Sequence, residues 1–228
     1  MIIGFYGPSD SGKTTMIIKL IEYFKNKNYK IIAIKHVGKD HKIDVEGKDT
    51  YLYKESGADI SVGISEEESA IFMKIKDLDH IIKILNKIID NPIIFIEGLK
   101  DNDKIKKIKM GGDKTYPNTV LESNDFDKIK NFIEMEIEIE KIERDLPGLN
   151  CGDCGYKNCR IMAENIFNNK NRLEDCKHIN DKNLIIFVNG NRIYLNDFMQ
   201  KLFENTLKGM LSSLKGVDDI KNFRIMLE

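Results

Sequence analysis

The chain has 228 residues, with 36 Lys and Arg against 37 Asp and Glu, and its formal net charge is −1. The length allows one ordinary domain with a small addition, and the balanced charge gives no support to broad nucleic-acid binding. No apolar run approaches the roughly 20 residues that cross a bilayer, and no secretory signal precedes the first predicted strand. The sequence therefore predicts a cytoplasmic protein that binds neither nucleic acid nor a membrane.

The first 25 residues predict a strand, a glycine-rich loop and a helix. Residues 1–6 form an apolar run, and residues 13–25 repeat apolar side chains at helical spacing. Between them, residues 7–14 read GPSDSGKT and fit the phosphate-binding loop pattern G-x-x-x-x-G-K-[ST]. Such a loop aims backbone N–H groups and the positive end of a helix at one point. The sequence therefore predicts a site for a nucleoside triphosphate.

The residues of this loop have expected roles. Lys13 is expected to reach the β- and γ-phosphates, and the Thr14 hydroxyl to ligate Mg²⁺. The other loop residues predicted to bind the nucleotide are Gly7, Ser9, Asp10, Ser11, Gly12 and Thr15. Pro8 stands where ATPases of the nitrogenase-iron-protein type carry a second lysine, which disfavours that class. No N-K-x-D sequence occurs, so these motifs do not reveal which base is preferred.

As far as residue 130, short apolar runs alternate with helical patterns. Predicted strands follow at 31–34, 59–64, 70–75, 92–96, 104–110 and 119–121, and predicted helices at about 48–56 and 78–89. This alternation predicts an α/β fold, a P-loop NTPase sheet with helices on both faces.

Residues 125–144 fit two patterns. Ile129, Ile133 and Ile137 are spaced as on one face of a helix, whereas residues 135–139 alternate as in a strand. A helix is the favoured interpretation.

Nucleotide hydrolysis or transfer also needs an acidic group near the phosphates. Glu97 directly follows the most hydrophobic predicted strand, where a carboxylate holds Mg²⁺ through water or orients a nucleophile. Glu97 and Lys13 are therefore the predicted catalytic residues.

A polar segment at residues 35–49 leaves another predicted strand at its carboxyl end, where ligands of open α/β sheets collect. The further nucleotide-binding candidates in this segment are His36, Asp44 and Asp49, and Asp40 and His41 add to its polar density.

The order of these motifs resembles one known family. After the P-loop come Lys35-His36, the run HKIDVEGKDT at 41–50, Gly57-Ala58 and the run FIEGLK at 95–100. Together, over roughly residues 1–135, they resemble molybdopterin-guanine dinucleotide biosynthesis protein B. One departure is Val37-Gly38, where many members carry Asp or His.

The resemblance implies a protein that binds GTP and hydrolyses it weakly. Members assist the guanylyltransferase that joins GMP to molybdopterin, and they are commonly dimeric. The resemblance therefore implies a molybdopterin guanylyltransferase as the partner, with molybdoenzymes as further candidates, and a homodimer.

All four cysteines fall in one short segment, as Cys151-x₂-Cys154-x₄-Cys159-x₁₆-Cys176. Four thiolates suffice for a 4Fe-4S cluster or a Cys₄ zinc site, and four free thiols are the third alternative. The cluster is favoured because structural zinc sites more often use two C-x₂-C pairs and because a helix is predicted at 160–168, beside the third cysteine. The segment also resembles the small 4Fe-4S domain of corrinoid iron–sulfur proteins.

The C-terminal part carries no chemical motif. Residues 184–188 and 192–195 flank Asn189-Gly190 as in a hairpin, and a helix is predicted at 196–214, which suggests a docking or dimerisation element. The predicted domains are a GTP-binding domain at 1–145, a cluster domain at 146–180 and a C-terminal element at 181–228.

Three functions remain open. The protein is a GTP-dependent accessory protein of molybdenum or tungsten cofactor maturation, a redox protein whose cluster is gated by nucleotide hydrolysis, or a nucleotide-responsive binding module.

Overall fold

The computed structural model describes residues 1–38, 43–75, 77–179, 184, 186–188, 191–217 and 220. The candidates Asp40 and His41 and the predicted turn Asn189-Gly190 lie outside the described residues. The chain forms two compact units, Met1–Phe132 and Ile133–Glu228. No helix in the described ranges is both long and apolar enough to cross a membrane.

The first unit contains strands and helices in alternation. Its strands are β1 (Ile2–Tyr6), β2 (Ile31–Lys35), β3 (Ile60–Ile64), β4 (Ser69–Met73), β5 (Ile93–Glu97), β6 (Lys107–Lys109) and β7 (Thr119–Glu122). Its helices are α1 (Lys13–Asn26), α2 (Asp49–Glu55), α3 (Leu78–Ile88) and the first turns of α4 (Phe126–Asp145). The predicted elements are confirmed, although β6 is shorter than the predicted strand at 104–110.

A parallel sheet forms the centre of this unit, in the strand order β2-β5-β1-β6-β7. On one face, the ring of Phe95 contacts the rings of Phe5 in β1 and Phe24 in α1. Its centroid lies 5.9 Å from that of Phe5 and 6.3 Å from that of Phe24. On the other face, Ile94 and Ile96 pack against the apolar side of α3. Burial on both faces explains why the central strands are continuously apolar in sequence.

Strands β3 and β4 form a separate antiparallel hairpin. The apolar side chains on one of its faces are solvent-exposed, and Val62, paired with Ile71, lies at their centre. Ile60 and Ile64 are exposed on the same face because side chains two residues apart in a strand point the same way. We call these four residues the hairpin face.

The second unit contains the rest of α4, α5 (Cys159–Phe167), a 3₁₀ turn (Leu173–Asp175), the antiparallel strands β8 (Ile186–Val188) and β9 (Asn191–Ile193), and α6 (Asp197–Ser212). Helix α4 continues through residues 135–139, so the favoured helix is confirmed there and the alternative strand is wrong. The 3₁₀ turn was not predicted. A small core is formed by Ile139, Leu146, Met162, Ala163 and Cys176.

Candidate functional site

The loop between β1 and α1 has the geometry that its sequence predicts. Gly12 adopts φ 82°, a left-handed conformation that favours glycine, and the chain enters α1 at Lys13. Because the first N–H groups of a helix have no partner within the helix, they and the positive helix end face the space above the loop.

The side chain of Lys13 folds back over this loop. Its ammonium donates to the carbonyl oxygens of Gly7, at 3.2 Å, and Pro8, and to the Ser11 hydroxyl at 3.2 Å. The ammonium therefore lies at the centre of the loop, where a phosphate would replace these neutral acceptors with a charged one.

Glu97, the last residue of β5, contacts one residue of α1 and one residue of β2. The Thr14 hydroxyl donates to Oε2 of Glu97 at 2.8 Å, and the Lys35 ammonium donates to Oε1 at 2.6 Å. Burial raises the pKa of the Glu97 carboxyl, but the hydrogen bonds from Lys35 and Thr14 outweigh it and hold that pKa below its ordinary value. Glu97 is thus an ionised carboxylate at neutral pH beside the threonine of the loop.

An open cleft lies above the loop. Its charged lining side chains are Lys13, Lys35, Lys100, Asp10 and Glu97. The loop residues Gly7, Ser9, Gly12, Thr14 and Thr15 line it as well. Cations and exposed N-terminal helix groups at one place suit an anionic ligand.

The predicted residue His36 also lines this cleft. Its backbone N–H donates to the carbonyl oxygen of Glu97 at 2.9 Å and so extends the pairing of β2 with β5. A β-carbon on Gly98 would lie 3.2 Å from both the β-carbon and the carbonyl oxygen of His36, so the two backbones approach closely here.

Two other candidates do not line the cleft. Asp44 accepts hydrogen bonds from Lys54 at 2.6 Å and Thr50 at 3.0 Å, and it thereby ties the segment before α2 to that helix. Asp49 is exposed at the start of α2. Both remain predictions as nucleotide-binding residues, and the observed contacts give Asp44 a structural role.

Two lysines of the cleft were not among the predicted site residues. Lys35 is the last residue of β2 and is paired in register with Glu97, the last residue of β5. Lys100 lies in the loop after β5. Lys35 could have been selected from the sequence because it directly follows the predicted strand at 31–34. Its position beside Glu97, however, depends on the pairing of β2 with β5.

In the second unit, all four cysteines line one small cavity. They are free thiols, so no disulfide competes for them. Asn158 caps α5 by accepting a hydrogen bond from the Ile161 N–H at 2.9 Å, and the helix begins at Cys159. Glycines with positive φ at 152 and 155 turn the loop that carries Cys151 and Cys154.

One group of possible metal ligands lies close together in this unit. Among the described residues, donor atoms of Cys151, Asp153 and His178 lie within 4.8 Å of one another.

One residue of the cavity lining, the buried His178, contacts an exposed aspartate. His178 Nε2 lies 2.6 Å from a carboxylate oxygen of Asp153, and His178 is buried. The hydrogen bond with His178 lowers the pKa of the Asp153 carboxyl, and burial raises the pKa of the Cys176 thiol. Metal binding at Cys176 must therefore displace the proton of its thiol.

The buried strand, the glycine loop, Lys13 at the head of α1 and Glu97 on the adjacent strand together define a P-loop nucleotide-binding fold. The chain belongs to the family described as "Molybdopterin guanine dinucleotide synthesis protein B", whose model matches residues 2–132. A second family model, described as "Putative Fe-S cluster", matches residues 146–178. The resemblance inferred from the sequence motifs is therefore confirmed.

Two relatives that are similar in sequence agree with this assignment. A Methanocaldococcus jannaschii protein named "Putative molybdopterin-guanine dinucleotide biosynthesis adapter protein" is 33% identical over 235 residues, covering 100% of this chain and 97% of that protein. A Haemophilus influenzae protein named "Molybdopterin-guanine dinucleotide biosynthesis adapter protein" is 31% identical, over 47% of this chain and 61% of its own length. The crystal structure of Bacillus subtilis MobB aligns over 58% of this chain and 96% of its own, with 19% identity and a TM-score of 0.47.

Proposed function

We propose that this protein is a GTP-binding accessory protein of molybdopterin guanine dinucleotide biosynthesis, with slow GTPase activity and a 4Fe-4S cluster. The observation that carries the nucleotide part is the contact of Thr14 with Glu97, at 2.8 Å, beside Lys13. A hydroxyl and a carboxylate at this place are the groups with which P-loop proteins hold Mg²⁺. The cofactor part is supported by family membership and by the names of the relatives.

The residues of the loop have different roles in nucleotide binding. The backbone N–H groups from Ser9 to Thr15 surround the phosphates, and the Lys13 ammonium donates to the β- and γ-phosphates in place of the loop carbonyls. Thr14 would ligate Mg²⁺, and Glu97 would hold the ion through water or orient the attacking water molecule. No arginine lies in the part of the cleft that the structure describes, which supports slow turnover until a partner completes the site.

In the second unit, Cys151, Cys154, Cys159 and Cys176 would hold the cluster. The fit is supported by four free thiols around one cavity and by the N-terminus of α5 beside Cys159, which favours negative charge. When bound, the cluster supplies one-electron redox chemistry or a structural tie for the surrounding loop.

The partner of this protein is a guanylyltransferase that joins GMP to molybdopterin, and molybdoenzymes are further candidates. The protein itself forms a homodimer. The hairpin face supports this assignment because four exposed apolar side chains on a small rigid hairpin favour association with a second protein surface.

The test measures nucleotide preference and cofactor yield together. GTP should bind more tightly than ATP, and the parent protein should raise the yield of guanine dinucleotide cofactor made by a guanylyltransferase from molybdopterin and GTP. Lys13→Ala should lose this effect, whereas Lys19→Ala, which removes an exposed lysine from the same helix, should keep it. A clear ATP preference, with nucleotide-dependent electron transfer and no change in cofactor yield, would instead support the nucleotide-gated redox protein.

A further inference from the structure

Lys35 lines the cleft and makes an ion pair with Glu97. Its ammonium lies 2.6 Å from Glu97, yet 60% of the Lys35 side chain is solvent-exposed, against 13% of the Glu97 side chain. The pair thus joins an exposed cation to a largely buried carboxylate. Because the Lys35 side chain is exposed, it can turn within the cleft without disturbing the core.

The charges of the cleft are unbalanced without a ligand. The lining carries three ammonium groups, on Lys13, Lys35 and Lys100, and two carboxylates, on Asp10 and Glu97. Glu97 feels both Lys35 and Lys13, because both ammonium groups lower its pKa. A bound polyphosphate would therefore compete with Glu97 for the Lys35 ammonium, and its higher charge favours the phosphate.

The position of Lys35 decides which phosphate it would meet. Glu97 joins Lys35 to Thr14, through contacts of 2.6 and 2.8 Å on its two oxygens. In a P-loop the threonine and the loop lysine lie beside the β- and γ-phosphates. Because Lys35 shares Glu97 with Thr14, a γ-phosphate beside Thr14 would bring its charge close to the Lys35 ammonium, whereas a diphosphate lacks that phosphoryl group.

We propose that Lys35 is a triphosphate-sensing residue, which pairs with Glu97 in the free and diphosphate-bound protein and turns to the γ-phosphate when a triphosphate binds. This rests on the proposed nucleotide site and adds to it a residue that distinguishes the two nucleotide states. In the triphosphate state, Glu97 is released from Lys35 and becomes available to Mg²⁺ or to a water molecule. Lys35 therefore couples phosphate recognition to the freeing of the predicted catalytic carboxylate.

The test compares the affinities of GDP and of a GTP analogue with a non-hydrolysable γ-phosphate, measured by calorimetry on the full chain. In Lys35→Met the preference for the triphosphate over the diphosphate should fall about tenfold, which corresponds to one charge-assisted contact. Lys35→Arg keeps the cation and should retain most of the preference. The matched control is Lys19→Met, on the exposed side of α1, which should leave both affinities unchanged.

Two outcomes separate this inference from the proposed function. If Lys35→Met weakens both nucleotides equally, or weakens neither, while the parent still prefers the triphosphate, Lys35 is not the sensor and the nucleotide site stands. If the parent protein binds neither nucleotide, the proposed function fails and this inference fails with it. Circular dichroism spectra of all variants, compared with that of the parent, would show that the differences do not come from misfolding.

Discussion

A β-carbon placed on Gly7 would lie only 2.2 Å from the carbonyl oxygen of Met110, the residue after β6. The approach is this close because β1 pairs with β6 and the backbone N–H of Met110 donates to Tyr6, directly before the loop, at 2.8 Å. The first glycine of the phosphate-binding loop is therefore required by a neighbouring strand as well as by the ligand.

Gly7→Ala should displace the loop or β6, because the nearest contacting group is the backbone carbonyl of Met110, which no side-chain rotation can move away. We expect at least a tenfold loss of triphosphate affinity, or about 2 kcal/mol of lost stability if the strand moves instead. Calorimetric titration with GTP and urea unfolding would measure the two effects. Gly209→Ala is the control, because a β-carbon at that helical position has open space around it. Unchanged affinity and stability in Gly7→Ala would contradict the observed approach.

Lys13→Ala should weaken triphosphate binding at least tenfold, because one charge-assisted phosphate contact is worth about 1.5–3 kcal/mol. The ammonium already lies over the loop, held by carbonyl oxygens and the Ser11 hydroxyl. The affinity of GTP, measured by calorimetry, tests this, with Lys19→Ala as the control. Equal affinities of a folded Lys13→Ala protein and its parent would disprove the role of Lys13.

Glu97→Gln should slow hydrolysis without abolishing nucleotide binding. The amide keeps the shape of the side chain and can still accept from Thr14, but it loses the charge that holds Mg²⁺ or orients water. Phosphate release under saturating GTP would measure turnover, and titration would measure affinity. Glu22→Gln, which changes an exposed carboxylate on α1, is the matched control. A turnover equal to that of the parent would remove Glu97 from the predicted catalytic residues.

Protein purified without oxygen should be brown and contain about four irons and four sulfides per chain. Cys176→Ser should lose or convert the cluster, because three thiolates leave one corner of the cubane without its ligand. Asp153→Asn keeps all four sulfurs and should retain the full iron content.

The outcome for Asp153→Asn also separates two arrangements of metal ligands. If metal is lost in that variant, the three-donor group of Cys151, Asp153 and His178 holds it, and the four-cysteine assignment fails. A colourless anaerobic preparation with one zinc per chain would contradict the cluster as well.

Val62→Lys should convert the proposed homodimer to a monomer. Val62 lies at the centre of the hairpin face, opposite Ile71, and a buried lysine there would have to lose its hydration without a partner. Sedimentation equilibrium of the parent and the variant would measure the oligomeric state. Val45→Lys, at another exposed valine outside the hairpin, should leave the state unchanged. A dimer that survives Val62→Lys would place the interface elsewhere.

The sequence by itself determined the features that depend on local chemistry. The phosphate-binding loop was readable because its glycines, lysine and threonine must stand at fixed spacing between a strand and a helix. Helix α4 could only be favoured over a strand, because Ile129, Ile133 and Ile137 have helical spacing whereas residues 135–139 alternate. The cysteine segment could be recognised in the same way, because its four cysteines lie close together along the chain.

Tertiary structure decided which distant residues meet. Lys35 and Glu97 are 62 positions apart and come together because β2 pairs with β5 in a register that aligns their last residues. Asp44 was equally polar in sequence, yet it pairs with Lys54 of α2 and does not line the cleft. Strands β3 and β4 hydrogen-bond to each other and form a hairpin apart from the parallel sheet. Which strands pair depends on how whole elements pack together, so it cannot be read from any single segment of the chain.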